Sequence, residues 1–261
     1  MIKLEHIIKD FKTDNGINHV LKDISITIND GDFISVIGSN GSGKSTLLNT
    51  IAGSFLPTSG KISFGDDDVT SLKEHKRAKY IGRVFQDPNV GTIGDISIEE
   101  NLALAIKRGD KRSLKWALKK EYIPLYQEKL APLNLNLENR LGEKVKSLSG
   151  GQRQAVTLLM ATLKKPEILL LDEHTAALDP KTSKKIMKLT EDLIAENHLT
   201  AIMITHNMKD ALKYGNRLVM ISNGKIIFDC LKDEKDKLTV EDLYSKFDLA
   251  EKDTSLDSAI E

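Results

Sequence analysis

Apolar and polar residues alternate over the first thirty positions. Ile2, Leu4, His6 and Ile8 fall on one face, and Ile24, Ile26 and Ile28 on another, with Ser25 and Thr27 between them. A period of two predicts strands, and strands that are polar on one side suit an antiparallel sheet with a wet face. Residues 12–18, with Asp14-Asn15-Gly16, predict the turn between them. After a second turn at Asp30-Gly31 the alternation gives way to a continuous apolar run, Phe33-Ile34-Ser35-Val36-Ile37. Similar runs at 168–171 and 201–205 predict further buried strands. Shorter strands are expected at 61–64 and 80–86, and a hairpin over 218–221 and 225–228 around Asn223-Gly224.

From Ser97 the period lengthens to that of a helix. Ser97 and Glu100 form a capping box ahead of Leu102 and Ile106. Helical, lysine-rich sequence is expected to continue to about Asn136, with Trp116 inside it, its lysines read as a solvated face. A second helix over 151–163 aligns Val156, Leu159, Met160 and Leu163. Asp179-Pro180 reads as an N-cap followed by proline at the first helical position, with Ile186, Leu189, Leu193 and Ile194 as the buried stripe. Thr239 and Asp242 cap a last helix, and the tail beyond Ala250 is polar. Apolar strands alternating with helices predict an α/β fold, a parallel sheet flanked by helices. The antiparallel front and the helical block over 97–165 read as additions to that core.

Composition narrows the class. The chain has 261 residues, enough for a sizeable core, with 38 basic and 38 acidic side chains and no net charge. That balance argues against nucleic acid as the main partner, since such domains are usually basic. The single cysteine, Cys230, suits a reducing compartment. The N-terminus carries charge where a signal peptide would be apolar, and no run reaches the ~18–20 apolar residues of a membrane span. A cytoplasmic chain is expected, one that can still sit on a membrane partner. Three aspartates at 66–68 read as a solvated turn rather than a metal cluster.

The chemistry starts at Gly38-Ser39-Asn40-Gly41-Ser42-Gly43-Lys44-Ser45-Thr46, between an apolar strand and an apolar helix. This is the context of a phosphate-binding P-loop. Glycines let backbone N–H groups curl around an anion, and the helix start adds a partial positive charge. Lys44 would reach the β- and γ-phosphates, and the Ser45 hydroxyl would ligate Mg²⁺. A second strand ends in Asp172-Glu173, which delivers two carboxylates to the carboxyl edge of a sheet. Asp172 suits the Mg²⁺ shell, and Glu173 is placed to activate an attacking water. A third segment, Leu148-Ser149-Gly150-Gly151-Gln152, makes a second anion site at a helix start.

Two phosphate-binding helix starts in one chain resemble the ATP-binding-cassette (ABC) ATPases, whose signature is L-S-G-G-Q. GSNGSGKST, VFQDP, LSGGQ, LLLDE, AALD and ITH occur in that family's order, and the match spans residues 1–228. The resemblance implies a RecA-like P-loop NTPase with a parallel sheet core, an antiparallel β subdomain and an inserted helical subdomain at about 90–165. One domain over 1–250 and a polar tail over 251–261 are expected. It implies that Gln86 is the Q-loop glutamine, touching Mg²⁺ and ATP, and that His206 is the switch histidine at the γ-phosphate. Phe11 is chosen as the adenine-stacking aromatic, with packing at a strand end as its other reading, and Val20 is assigned to the same ATP site. In trans, Ser149, Gly150, Gly151, Gln152 and Asp179 of a second copy, or of a homologous subunit, would complete the ATP site. His174 stands where the family usually has proline. It reads as a scaffold substitution, or else as a titratable group beside the base.

The function so implied is an Mg²⁺-dependent ATPase subunit of an ABC transporter, peripheral on the cytoplasmic face of the membrane. It would drive a separate integral-membrane permease, in an importer with a substrate-binding protein, and DEHTAALDP looks like subunits linked to amino acid uptake. The alternative is a soluble ABC ATPase of translation or DNA repair. Gln86 and Leu148 lie too close for the coiled coil of repair members, and one P-loop does not suit the paired cassettes of translation members. A small GTPase lacks support, since no N-K-x-D motif is present.

Overall fold

The computed structural model describes residues 1–14, 16–110 and 118–257. Asn15 of the expected first turn, Trp116 and residues 258–261 of the expected tail lie outside the described residues. In chain order the elements are β1 (Ile2–Thr13), β2 (Gly16–Ile28), β3 (Phe33–Ile37), α1 (Lys44–Ala52), β4 (Ser59–Phe64), β5 (Asp67–Asp68) and α2 (Glu74–Arg77). Then come β6 (Ile81–Val84), α3 (Ile98–Ile106), α4 (Ile123–Leu130), α5 (Gly150–Thr162), β7 (Ile168–Asp172) and α6 (Pro180–Glu196). The chain finishes with β8 (Ala201–Ile204), α7 (Met208–Lys213), β9 (Arg217–Ser222), β10 (Lys225–Leu231), α8 (Lys232–Lys235) and α9 (Val240–Asp257). These elements form two compact units, residues 1–77 with 200–261, and residues 78–199.

In the first unit β1 pairs antiparallel with β2 and β4, and β4 with β5. The expected alternation in β1 breaks at His6. Its φ of 53° and a register shift between Leu4 and Ile7 mark a bulge, so Ile7 takes the core position and His6 is exposed. Asp23, with φ 66°, bulges on β2, and its carboxylate meets the His6 Nδ1 at 2.8 Å. Leu21, Ile24 and Ile28 are therefore buried, whereas Ile26 is only half-buried. The turn expected over 12–18 is also shorter than its polar residues suggest, because pairing continues to Thr13 and resumes at Gly16.

Also in this unit, β3 lies parallel to both β8 and β9, and β9 closes an antiparallel hairpin with β10. Thr239 and Asp242 exchange hydrogen bonds to cap α9, as read from the sequence. The helix lays Leu243 and Phe247 on a core of Ile37, Ala211, Leu218, Met220 and Cys230. Full burial of one such large apolar side chain stabilises by about 1.5–3 kcal/mol. The helix continues to Asp257, so the described part of the polar tail is helical.

The second unit takes in residues 90–165 together with β6, β7 and α6. β6 and β7 pair in parallel. The capping box at Ser97 and Glu100 is formed, but α3 ends at Ile106. The single helical run expected to Asn136 does not hold. Two short 3-10 turns flank α4, and Asn134 and Asn136 are left-handed, a conformation that no helix continues through. What unites this region is a core of Ile98, Leu102, Tyr126, Leu130, Val145 and Leu159, among others. On α6 the buried stripe is Ile186, Met187, Thr190 and Ile194, with Leu189 and Leu193 only partly covered.

Candidate functional site

Within the first unit the segment from Gly38 to Thr46 joins β3 to α1. Gly43 caps α1 at φ 103°, a left-handed conformation that a side chain would strain. A Cβ at Gly38 would stand 2.3 Å from the Ile221 carbonyl oxygen and 2.6 Å from the Ser42 Oγ. Lys44 is 6% exposed, and its Nζ donates to the Gly38 and Ser39 carbonyls at 2.9 Å each. The ammonium is thereby folded back across the loop's own mouth. The first turn of α1 has no acidic residue, so nothing there opposes an anion at the helix start. Ser45 and Asn40 are exposed at this end.

Register explains which other residues of the unit reach this edge. Val36 pairs with Ile204 in the parallel β3 and β8, and the Thr205 N–H donates to the Val36 carbonyl at 3.2 Å. His206 therefore leaves the sheet at the same level as the P-loop, and it is exposed. Sequence reasoning missed Gly224, which it read only as a hairpin turn. The Gly224 N–H donates to the Ser42 carbonyl at 3.0 Å, and the Lys22 N–H donates to the Gly224 carbonyl at 2.8 Å. The β9–β10 turn thus buttresses the P-loop from below. Nothing local in Asn223-Gly224 signals this, because the contact depends on the sheet bringing β9 beside β3.

Val20 and Phe11 fall in different surroundings. A Cβ on Gly43 would meet the Val20 carbonyl oxygen at 3.0 Å, so β2 abuts the P-loop at that residue. Phe11, on β1 opposite Asn18, makes an edge contact with Phe55 at 5.2 Å between ring centroids. The Lys9 Nζ sits 4.9 Å from the Phe11 ring centroid and donates to the Leu56 carbonyl. Phe11 is partly exposed, with some of its ring already in contact.

The second unit repeats the same logic of parallel register. Val84 pairs with Leu171, so Gln86 and Glu173, each two residues further on, leave β6 and β7 at the same edge. Gln86 is exposed, while Asp172 and Glu173 are half-buried. Glu173 has φ 44°, and its carbonyl accepts from the Ala176 N–H at 2.9 Å. A non-glycine residue in this region costs about 1 kcal/mol or more, the kind of strain that collects at functional sites. His174 is buried, with its Nε2 3.0 Å from the Thr190 Oγ1, and burial pulls its pKa from 6.5 down to about 4.

Ser149 caps α5. Its Oγ accepts from the Gln152 N–H at 3.3 Å, and the Gln152 Oε1 accepts from the Ser149 N–H at 3.1 Å. Ser149 and Gly150 are exposed, whereas Gly151 is buried against α6. A Cβ on Gly151 would lie 2.2 Å from the Thr182 Cγ2. Asp179 caps α6, its Oδ1 accepting from the Lys181 and Thr182 N–H groups at 3.1 Å each. Hydrogen bonds from Thr182, side chain and backbone, hold the Asp179 carboxyl below the usual carboxylate range.

The oxygen donors fit Mg²⁺ in kind. The Ser45 hydroxyl, the Asp172 carboxylate and the Gln86 amide oxygen are hard ligands. Among the described residues no group of three or more His, Cys, Asp or Glu could hold a metal by itself. Asp66, Asp67 and Asp68 are exposed, and the turn read from the sequence is shorter than expected, since Asp67 and Asp68 form β5.

Residues 21–176 match the family model described as ABC transporter. The chain is 44% identical over 251 residues to the tyrosine transport ATP-binding protein of Clostridioides difficile, covering 96% of this chain and 100% of that one. It is 36% identical over 236 residues to the methionine import ATP-binding protein MetN of Streptococcus agalactiae, covering 87% of this chain and 63% of MetN. A solved dimeric structure of the ATP-binding cassette MJ0796, in a post-hydrolysis state with ADP and Pi, superposes with TM-score 0.75. It is 32% identical and covers 89% of this chain and 99% of that one.

Proposed function

Because the chain belongs to the ABC transporter ATP-binding family, we propose that it hydrolyses ATP in an Mg²⁺-dependent reaction coupled to a separate membrane permease. The observation that carries the reading is the Lys44 ammonium held across the P-loop mouth by the Gly38 and Ser39 carbonyls. Phosphate oxygens would take over those hydrogen bonds, as charge-assisted ones.

The P-loop residues from Gly38 to Thr46 hold the phosphates, with Phe11 and Val20 at the base and sugar side. Ser45, Asp172 and Gln86 would hold Mg²⁺, which when bound neutralises charge on the β- and γ-phosphate oxygens. Glu173 accepts a proton from water as its oxygen bonds to the γ-phosphorus and the bond to the ADP oxygen breaks. His206 donates a hydrogen bond to the γ-phosphate and steadies the charge that develops there. Ser149, Gly150, Gly151, Gln152 and Asp179 of a second copy, or of a homologous ATPase subunit, complete the site in trans. The exposure of Ser149 and Gly150 supports that role.

The direction of transport is read as import and the cargo class as amino acids, on the strength of relatives named for tyrosine transport and methionine import. A substrate-binding protein then belongs to the complex. Among the described residues no helix is long and apolar enough to cross a membrane. As a transporter's ATP-binding subunit, the chain is read as attaching peripherally, at the cytoplasmic face, through its permease. Both of those relatives are named for transport, which favours this reading over a soluble ATPase of translation or repair. The test is phosphate release from ATP by the purified chain with and without Mg²⁺, beside Lys44→Ala. Activity that needs both the ion and Lys44 is the expected result. Hydrolysis indifferent to Lys44 would sink the P-loop assignment.

A further inference from the structure

Gln86 opens a loop that runs to Ser97, and the segment before Ser149 lies alongside it. The Lys146 N–H donates to the Gly94 carbonyl at 2.9 Å and the Val145 N–H to the Ile96 carbonyl at 3.1 Å. The Lys146 Nζ adds an ion pair with Asp95 at 2.6 Å. One side chain reaches both strips from α5. Arg153 donates through Nη1 to the Asn89 Oδ1, and through Nη2 to the Lys146 carbonyl at 3.1 Å and the Leu148 carbonyl at 3.5 Å. Asn89 is aimed for this contact, because the Asp87 Oδ1 accepts from both its N–H, at 2.9 Å, and its Nδ2, at 2.7 Å. Leu148 is the residue immediately before Ser149.

Two neighbours close the same gap. The Gln154 Nε2 donates to the Phe85 carbonyl at 3.4 Å, one residue before Gln86, and Gln154 is fully buried. The Thr157 Cγ2 would lie 2.5 Å from a Cβ on Gly91, so α5 meets this loop closely enough to require glycine. A planar guanidinium with several fixed donors can hold two backbone segments at once, which a lysine ammonium does with far less geometric control.

We propose that Arg153 is a positioning residue that ties the Gln86 loop to the Ser149 turn, so that displacement of one moves the other. This rests on the ATPase reading above, in which Gln86 and Ser149 serve two ends of one reaction. It assigns Arg153 no contact with ATP. A change at Asn89 must then reach Ser149 through Arg153, although Asn89 does not itself hold that turn.

Hydrogen exchange of the full chain, followed by mass spectrometry, tests the link without requiring activity. Asn89→Ala, a surface change with little risk to folding, is expected to speed exchange over residues 146–150 by about threefold or more. In an Arg153→Met background the same change should add nothing there. Exchange at 146–150 that ignores Asn89→Ala, or an Asn89 effect that persists without Arg153, overturns the proposal. In ATPase assays both single variants should lose about tenfold in turnover, with nucleotide affinity within about twofold of the parent and the double variant no worse than either. Multiplying losses would also reject the link. An inactive parent chain with the exchange coupling intact would instead count against the ATPase reading alone.

Discussion

The His174 Nε2–H donates a hydrogen bond to the Thr190 Oγ1 at 3.0 Å, and the Thr190 hydroxyl donates its own to the Ile186 carbonyl at 2.8 Å. The hydroxyl has one proton and has spent it, so the imidazole must be the donor. Burial disfavours a charge on the ring, which keeps His174 neutral with a pKa of about 4. Beside Glu173, the proposed base, a neutral His174 serves as scaffold rather than as a proton donor near neutrality. An unfolded His174 titrates near 6.5, so the unfolded chain binds the extra proton between that value and 4. Stability contributed by the neutral ring is complete above 6.5 and is lost as pH falls towards 4, by about 3 kcal/mol in all. Denaturant titrations across that range should show an acid limb that shrinks in His174→Phe. Between about pH 6 and 8 the pH–rate profiles of the parent and His174→Pro should superimpose, and divergent profiles would restore a role in proton chemistry.

Glu173 combines a left-handed backbone with the assigned base. Glu173→Gln keeps shape and strain and should bind ATP while hydrolysing it about 10²–10⁴-fold more slowly, accumulating as a dimer. Glu173→Gly should also be inactive but more stable, by roughly 1 kcal/mol, since glycine adopts φ 44° at no steric cost. Thermal unfolding beside phosphate release checks both, and a glycine variant less stable than the parent would mean that the backbone stores no strain.

Phe11 touches Phe55 and Lys9, so two roles compete for one ring. If adenine stacks on it, Phe11→Ala should weaken ATP binding by about 1–3 kcal/mol, and Phe11→Tyr should restore it. Calorimetric ATP titration paired with a melting curve separates the roles. A loss confined to stability would leave Phe11 as a packing residue.

Arg77 is fully buried and donates to four carbonyls, those of Thr50, Ile51, Thr70 and Leu72, at 2.7–2.9 Å. Two of these belong to the last turn of α1, which has no basic residue of its own there. Burial lowers the Arg77 pKa to about 10, which still leaves it charged at neutral pH. Arg77→Met should cost about 3 kcal/mol or more, because the carbonyls would lose their donors inside the fold. Equilibrium unfolding in urea measures it, and Arg77→Lys should recover only part, lacking the fork.

Much of the site was legible because its motifs are contiguous. Gly38 to Thr46 follow an apolar strand and open a helix, and Asp172 and Glu173 end another, so spacing alone carries each motif to a strand's carboxyl end. The caps at Ser97, Asp179 and Thr239 were readable for the same reason, since a cap bonds residues two or three positions away. The bulge at His6 was not. Alternation predicts a flat strand, and only pairing with β2 and β4 decides where the register slips.

Sequence alone determined that this chain carries a P-loop, a signature turn and two carboxylates at a strand end, because local geometry follows from local residue order. Tertiary structure decided what stands behind them. Gly224 supports Ser42, Arg77 caps α1, Arg108 donates to the Ala161 carbonyl at the end of α5, and Lys235 donates to the Gly215 carbonyl at 2.9 Å. Each joins residues far apart in the chain, or a buried cation to backbone carbonyls that any sequence possesses. A carbonyl has no residue identity to read, and only packing shows which helix ends are left without solvent and must find a donor.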